Sequence, residues 1–202
     1  MDNGGMGRIS GLDFELTDGT FELRHGNGFY AELDPSADGT LYTRCGIWYI
    51  RASGGSNNRI YIPRGLEASG VRIKLCGAEL SMPGINAVDI SLRISGGRLY
   101  AGTLRARCIN AELGLGYASM TAAPGVSAFF ECGAGSMKTI LAGSAADYSI
   151  RCEHGVGTVT AGGRRLRRHD VLGSGEKEVF ARCGMGSMEL DFSESKELLH
   201  KI

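Results

Sequence analysis

The sequence predicts an all-β fold built by repetition: a β-solenoid or double-sheet roll of two-strand units about 19 residues long, closed by a short C-terminal helix. Three observations carry this. Apolar and polar residues alternate with a period of two, as in Val88-Asp89-Ile90-Ser91-Leu92-Arg93-Ile94, which marks half-buried strands. A segment of the form polar, Cys or His, Gly, x, Gly, x, apolar recurs along the chain. Glycine supplies 32 of 202 residues, well above the roughly 7% of ordinary proteins, whereas the 4 prolines and the missing Gly-X-Y period exclude collagen.

The repeat is clearest in LRHGNGFYAEL (23–33), ECGAGSMKTIL (131–141), EHGVGTVTAG (153–162) and RCGMGSMELDF (182–192), and looser in TRCGIWYI, KLCGAELSM, RISGGRLY and ELGLGYASM. The alternation places one inward residue before each bend: His25, Cys45, Leu75, Ile94, Leu113, Cys132, His154 and Cys183. A second inward series follows five residues later: Tyr30, Ile50, Leu80, Leu99, Ala118, Met137, Val159 and Met188. Each unit is then two strands joined at a glycine bend, where positive φ and close backbone approach are tolerated. Stacked units bury a core that no unit buries alone.

Two longer intervals mark insertions. Between Cys45 and Leu75 the Ser-Gly-Asn portion reads as a loop, and Arg59–Ile62 as a strand stopped by Pro63. Between His154 and Cys183 a charged, glycine-flanked stretch reads as a surface excursion. The organisation expected is a flexible start over 1–10, one β-repeat domain over 11–192, and a capping helix over 193–202 with Ser193 or Ser195 as N-cap. A cap would protect the last rung from edge pairing.

With 22 basic and 22 acidic residues the formal charge is zero, so no nucleic acid partner is expected. No apolar run approaches the ~20 residues of a membrane span, and the start lacks a signal-peptide pattern. The chain as it stands therefore reads as cytoplasmic, or as cell-surface if it is a fragment of a longer protein. The six cysteines form no C-x-x-C pair and read as thiols.

Four groupings are candidates for chemistry. Cys132, His154 and Cys183 share one repeat position, with Cys152 two residues before His154, and rungs ~4.8 Å apart would let such side chains meet a tetrahedral metal. Because Leu75, Ile94 and Leu113 occupy the same position elsewhere, packing is the favoured reading and neither a metal nor a cofactor is expected. Arg164, Arg165, Arg167 and Arg168 form the one dense basic run, either a solvated loop or a contact for an anionic ligand. Glu112, Glu131 and Glu153 fall in an outward column that holds Arg24, Arg44, Lys74, Arg93 and Arg182 in other units; this reads as ion pairing across rungs, with acid–base catalysis on polysaccharide as the alternative. The G-x-G bends lack the third glycine and following helix of a phosphate cradle.

The tract Ile60–Phe192 resembles the bacterial putative adhesin family of uncharacterised β-repeat domains. The resemblance lies in Ile62-Pro63-Arg64-Gly65, in the paired segments Cys132-Gly133-Ala134-Gly135-Ser136-Met137 and Cys183-Gly184-Met185-Gly186-Ser187-Met188 found in Gram-positive members, in Ala145-Ala146-Asp147-Tyr148, and in Gly155-Val156-Gly157-Thr158. Leu12–Ile50 matches more loosely. The resemblance implies a β-solenoid-like or double-sheet fold, no enzymatic activity, no catalytic residues and a place at the cell envelope. The function expected is a non-enzymatic binding or scaffolding domain whose ligand is a glycan or an envelope component, with self-association as a further possibility and a polysaccharide-active enzyme as the alternative.

Overall fold

The computed structural model describes residues 9–194. The first residues of the expected start, and the expected helix from residue 195 on, lie outside them. Within them the chain is all-β, an 18-stranded hydrogen-bonded set with one 3-10 turn at Ala145–Asp147. The strands are β1 (Gly11–Thr17), β2 (Thr20–Gly26), β3 (Tyr30–Glu32), β4 (Asp38–Arg44), β5 (Ile47–Ser53), β6 (Asn58–Pro63), β7 (Glu67–Cys76), β8 (Ala78–Met82) and β9 (Ile85–Ile94). They continue as β10 (Gly97–Leu113), β11 (Tyr117–Cys132), β12 (Ser136–Leu141), β13 (Tyr148–His154), β14 (Thr158–Ala161), β15 (Arg164–Leu166), β16 (Val171–Leu172), β17 (Lys177–Cys183) and β18 (Ser187–Phe192).

The pairings sort into two stacks. In the first, β5, β1, β7, β9, the C-terminal parts of β10 and β11, β17 and β13 lie side by side and parallel. In the second, β6, β2, β8, the N-terminal parts of β10 and β11, β12, β18 and β14 do the same. Antiparallel strands occur only at the ends: β4 on β5, β3 on β6, β16 on β13 and β15 on β14. The 17-residue β10 and 16-residue β11 pass from the second stack into the first, with register irregularities at Ala101/Thr103 and Ala106/Cys108 where they bend.

Alternation fills one contiguous core. A single row across the first stack runs Ile50, Phe14, Ile73, Leu92, Ala111, Phe130, Ala181, Cys152, all buried. The next row is Ala52, Leu16, Leu75, Ile94, Leu113, Cys132, Cys183, His154. The inward series expected from Leu75 onward is therefore one row. Its first two members are corrected: His25 is exposed on β2 opposite Ile62, and Cys45 is exposed in the β4–β5 turn, so Leu16 and Ala52 take those places. In the second stack Leu80, Leu99, Ala118, Met137, Met188 and Val159 are likewise one row, continued by Phe21 and Asn58. Tyr30 is instead exposed on β3, and Ile50 belongs to the first stack. Asn58 tolerates a core position because its amide is saturated: Nδ2 donates to the Thr20 and Gly54 carbonyls at 3.1 and 2.9 Å, and Oδ1 accepts from the Asp34 N–H at 3.0 Å.

The stacking order departs from the chain order at both ends. The chain begins in the second rung (β1, β2), moves outward to the first (β5, β6), then returns to the third (β7, β8). At the far end β13 and β14 form the outermost rung, and β17 and β18 insert between them and β11 and β12. The interval between His154 and Cys183 supplies β15 and β16, which cover one outermost rung, whereas β3 and β4, from the stretch before Cys45, cover the other.

Candidate functional site

Residues that alternate with the core rows face outward on the first stack. One outward row reads Tyr49, Asp13, Arg72, Ser91, Asn110, Phe129, Phe180, Arg151, and the row beside it Ile47, Gly11, Gly70, Asp89, Cys108, Ser127, Glu178, Ser149. Small residues occupy the middle rungs and large ones the ends, which leaves a trough across the strands. This trough is a cavity of about 630 Å³ floored by Gly70, Ser91, Asn110 and Ser127. At one end Phe129 and Phe180 stack with ring centroids 6.5 Å apart, and the Arg151 guanidinium lies 5.9 Å from the Phe180 centroid. At the other end the buried Asp13 carboxylate accepts from Arg51 at 3.0 Å and from Arg72 at 2.9 Å. In the middle, Asn110 donates through Nδ2 to Glu112 at 3.1 Å, while its Oδ1 is buried without a partner.

The carboxylates that line the trough are engaged. Asp13 is held by two arginines, Asp89 lies 3.6 Å from Arg107, and Glu178 lies 3.9 Å from Arg151. Asp13 is buried between its two arginines, whereas Asp89 and Glu178 are more than half exposed; an amide, hydroxyls and aromatic faces complete the lining.

The outward charged column runs Arg51, Glu15, Lys74, Arg93, Glu112, Glu131, Arg182, Glu153. Arg51–Glu15 (2.8 Å), Lys74–Glu15 (2.6 Å) and Arg93–Glu112 (2.8 Å) are close pairs, and Arg182 stands 4.0 Å from both Glu131 and Glu153. Arg24 and Arg44, expected in this column, lie on β2 and β4 instead.

The structure brings Cys132, Cys183 and His154 onto consecutive rungs, in that order, with Cys152 on the same face as His154. Among the described residues no group of three or more His, Cys, Asp or Glu is arranged to hold a metal ion. The Cys132 thiol donates to the Gly135 carbonyl at 3.3 Å. A Cβ on Gly157 would stand 2.8 Å from the Cys183 sulfur and one on Gly186 3.0 Å from the Cys132 sulfur, so the thiols pack directly beneath the corners of neighbouring rungs. His154 Nδ1 lies 3.0 Å from the Gly155 carbonyl, and its Nε2 is buried without a hydrogen-bond partner among the described residues.

Burial, reinforced by the neighbouring Cys132, pushes the Cys183 thiol up to about 11, and burial pushes Tyr148 up to about 12. Burial raises Cys132 and Cys152 as well. These are protonated thiols, not nucleophiles. The folded state holds the Cys183 proton more tightly than the unfolded chain. Its contribution is complete below the ordinary value of 9.0 and disappears as pH rises towards 11. Stability should therefore fall by up to about 2–3 kcal/mol across that window. Urea midpoints measured from pH 8 to 11 check this, and Cys183→Ala should flatten the slope; an unchanged slope would contradict it.

The basic run lies at one end of the stacks. Arg164 and Arg165 are exposed on β15, and Arg167 and Arg168 are exposed in the turn closed by the Arg167 N–H to Asp170 Oδ2 bond of 2.8 Å. None of the four forms an ion pair with a described residue. Among the described residues, no helix is long and apolar enough to cross a membrane. Phe129 and Asn110 were identifiable as outward positions from the alternation; that they and Phe180 share one trough depends on β17 inserting beside β11, which leaves no local sequence signal.

No protein-family model and no curated protein matches the chain, so the resemblance to the adhesin family rests on its motifs. Among solved structures, the fold is similar to that of a putative cell adhesion protein from Clostridium sporogenes ATCC 15579, at 14% identity over 92% of this chain and 94% of that one, with a TM-score of 0.45. It is also similar to that of a putative adhesin from Bacteroides fragilis NCTC 9343, at 10% identity over 91% of this chain and 93% of that one, with a TM-score of 0.32.

Proposed function

We propose that the chain is a non-enzymatic, adhesin-like binding module, built as a β-solenoid, that holds an uncharged glycan along the trough of the first stack at the cell envelope. The observation that carries this reading is the pairing of the stacked Phe129 and Phe180 rings with the unpartnered Asn110 Oδ1 in one elongated cavity. A sugar ring presents an apolar C–H face to aromatic side chains and hydroxyl donors around its rim. Asn110 Oδ1 would accept from a hydroxyl, and Ser91 and Ser127 supply both donor and acceptor.

Calorimetry with a panel of neutral oligosaccharides tests this. Binding should weaken tenfold or more in Phe129→Ala/Phe180→Ala, consistent with loss of a two-ring platform at ~1–2 kcal/mol. Asn110→Ala should weaken it less. Absence of binding across the panel, or binding indifferent to all three substitutions, would refute the reading. Shortening of a polysaccharide that is lost in Glu131→Gln would replace it with the enzyme.

A further inference from the structure

The strand β4 is exposed at all seven residues and, among the described residues, is bonded on one edge only, to β5. Its free edge is unusually bare: Gly39-Thr40-Leu41-Tyr42-Thr43 carries no charge. Proteins normally blunt such an edge with short length, charge or proline. The opposite end of the stacks shows that treatment, since β15 has three residues including Arg164 and Arg165, and β16 has two.

Which backbone groups face outward follows from the turn. Cys45 and Gly46 both have positive φ, +52° and +73°, the signature of a two-residue hairpin turn, and such a turn closes on a hydrogen-bonded pair, here Arg44 and Ile47. The Gly46 carbonyl accepts from the Ser10 N–H at 2.8 Å and the Gly54 N–H donates to the Thr17 carbonyl at 2.9 Å, so even-numbered groups of β5 face β1 and odd-numbered ones face β4. Alternation then directs Asp38, Thr40, Tyr42 and Arg44 of β4 towards β5, and the N–H and C=O of Gly39, Leu41 and Thr43 outward.

We propose that β4 is a homodimer interface, pairing antiparallel with β4 of a second copy about a two-fold axis through Leu41. In that register Leu41 meets the other Leu41, and Gly39 meets the other Thr43, so every outward N–H and C=O finds a partner. The same register sets Asp38 opposite Arg44 of the other copy, twice by symmetry, in the pair type where side chains approach most closely. Neither residue forms an ion pair with a described residue of its own chain. Thr40 falls opposite Tyr42, which already stacks on Tyr49 at 4.8 Å. Leu41, across from the buried Ile50, would continue the core row into the second copy. An axis through Thr40 or Tyr42 fails, because their backbone groups are used by β5. The interface is self-complementary and the far end is blunted, so assembly closes at two copies.

Sedimentation velocity over a concentration series tests this on the full chain. A species of twice the 21.4 kDa monomer mass should appear as concentration rises. Leu41→Lys should abolish it, with an unchanged circular dichroism spectrum. Asp38→Arg or Arg44→Asp alone should weaken dimerisation about tenfold, since each swap sets like charges opposite each other twice. Asp38→Arg/Arg44→Asp together should restore it. A concentration-independent monomer, a dimer indifferent to Leu41→Lys, or failure of the double exchange to rescue the single ones would each overturn the proposal.

Discussion

Gly116→Ala is expected to destabilise the fold by about 3–5 kcal/mol and to lower the melting point by roughly 10–15 °C. Two effects add. Gly116 has a φ of +104°, a conformation that L side chains rarely adopt. Its missing Cβ would also point into the carbonyl oxygen of Gly97, the residue at the same corner of the preceding rung. Gly97 in turn faces the Ala78 carbonyl, and a Cβ on Gly135 would stand 2.6 Å from the Gly116 carbonyl. The obstruction is backbone, and Gly116 is itself tied to the following rung, where its carbonyl accepts from the Ser136 N–H at 2.9 Å. Moving it disturbs the next rung. Gly28→Ala is the control, because nothing lies within 4 Å of a Cβ there, and it should change stability by less than about 0.5 kcal/mol. Urea denaturation of both variants decides the matter; a loss below 1 kcal/mol at Gly116 would mean that the corners relax independently.

The glycine count thus has a mechanical cause, and part of it is legible in the sequence. From Leu75 to Cys183 the inward residues before each bend form one row, because half-buried strands must alternate and the corners share one length. The N-terminal units misled for a local reason. Cys45-Gly46 has the look of a corner, yet both residues at positive φ make it a hairpin turn. The true corners there are Thr17–Thr20 and Gly54–Asn57, which lack the Gly-x-Gly step found at Gly114–Gly116, Gly133–Gly135, Gly155–Gly157 and Gly184–Gly186.

What no local pattern revealed is the order of the rungs. Nothing in Lys177–Cys183 says that it inserts between β11 and β13, since its alternation would suit any position in the stack. The trough depends on that order, because it sets Phe180 beside Phe129. The basic run acquires a meaning from the same placement: Arg164 and Arg165 lie on the edge strand that covers one end. Cations there discourage strand addition, whereas the uncharged Gly39–Thr43 stretch of β4 invites it.

Phe130→Ala should be comparably costly, about 3–5 kcal/mol, and its cause lies in the row that contains it. Phe130 is fully buried, and its neighbours on either rung are Ala111 and Ala181. The ring occupies space that two small residues concede. Truncation would leave three alanines in succession with Cys152 beyond them, and the surrounding strands, bonded on both sides, have little freedom to collapse into the void. The partition of volume is also testable. Ala111→Phe alone should overpack the row at a cost of about 1–3 kcal/mol. Combined with Phe130→Ala it moves the ring by one rung, so the double variant should lose at least 1 kcal/mol less than the sum of the single losses. Additive losses in a chemical-denaturation cycle would show that the two positions do not share the space, and that each rung packs against the facing stack rather than along its own row.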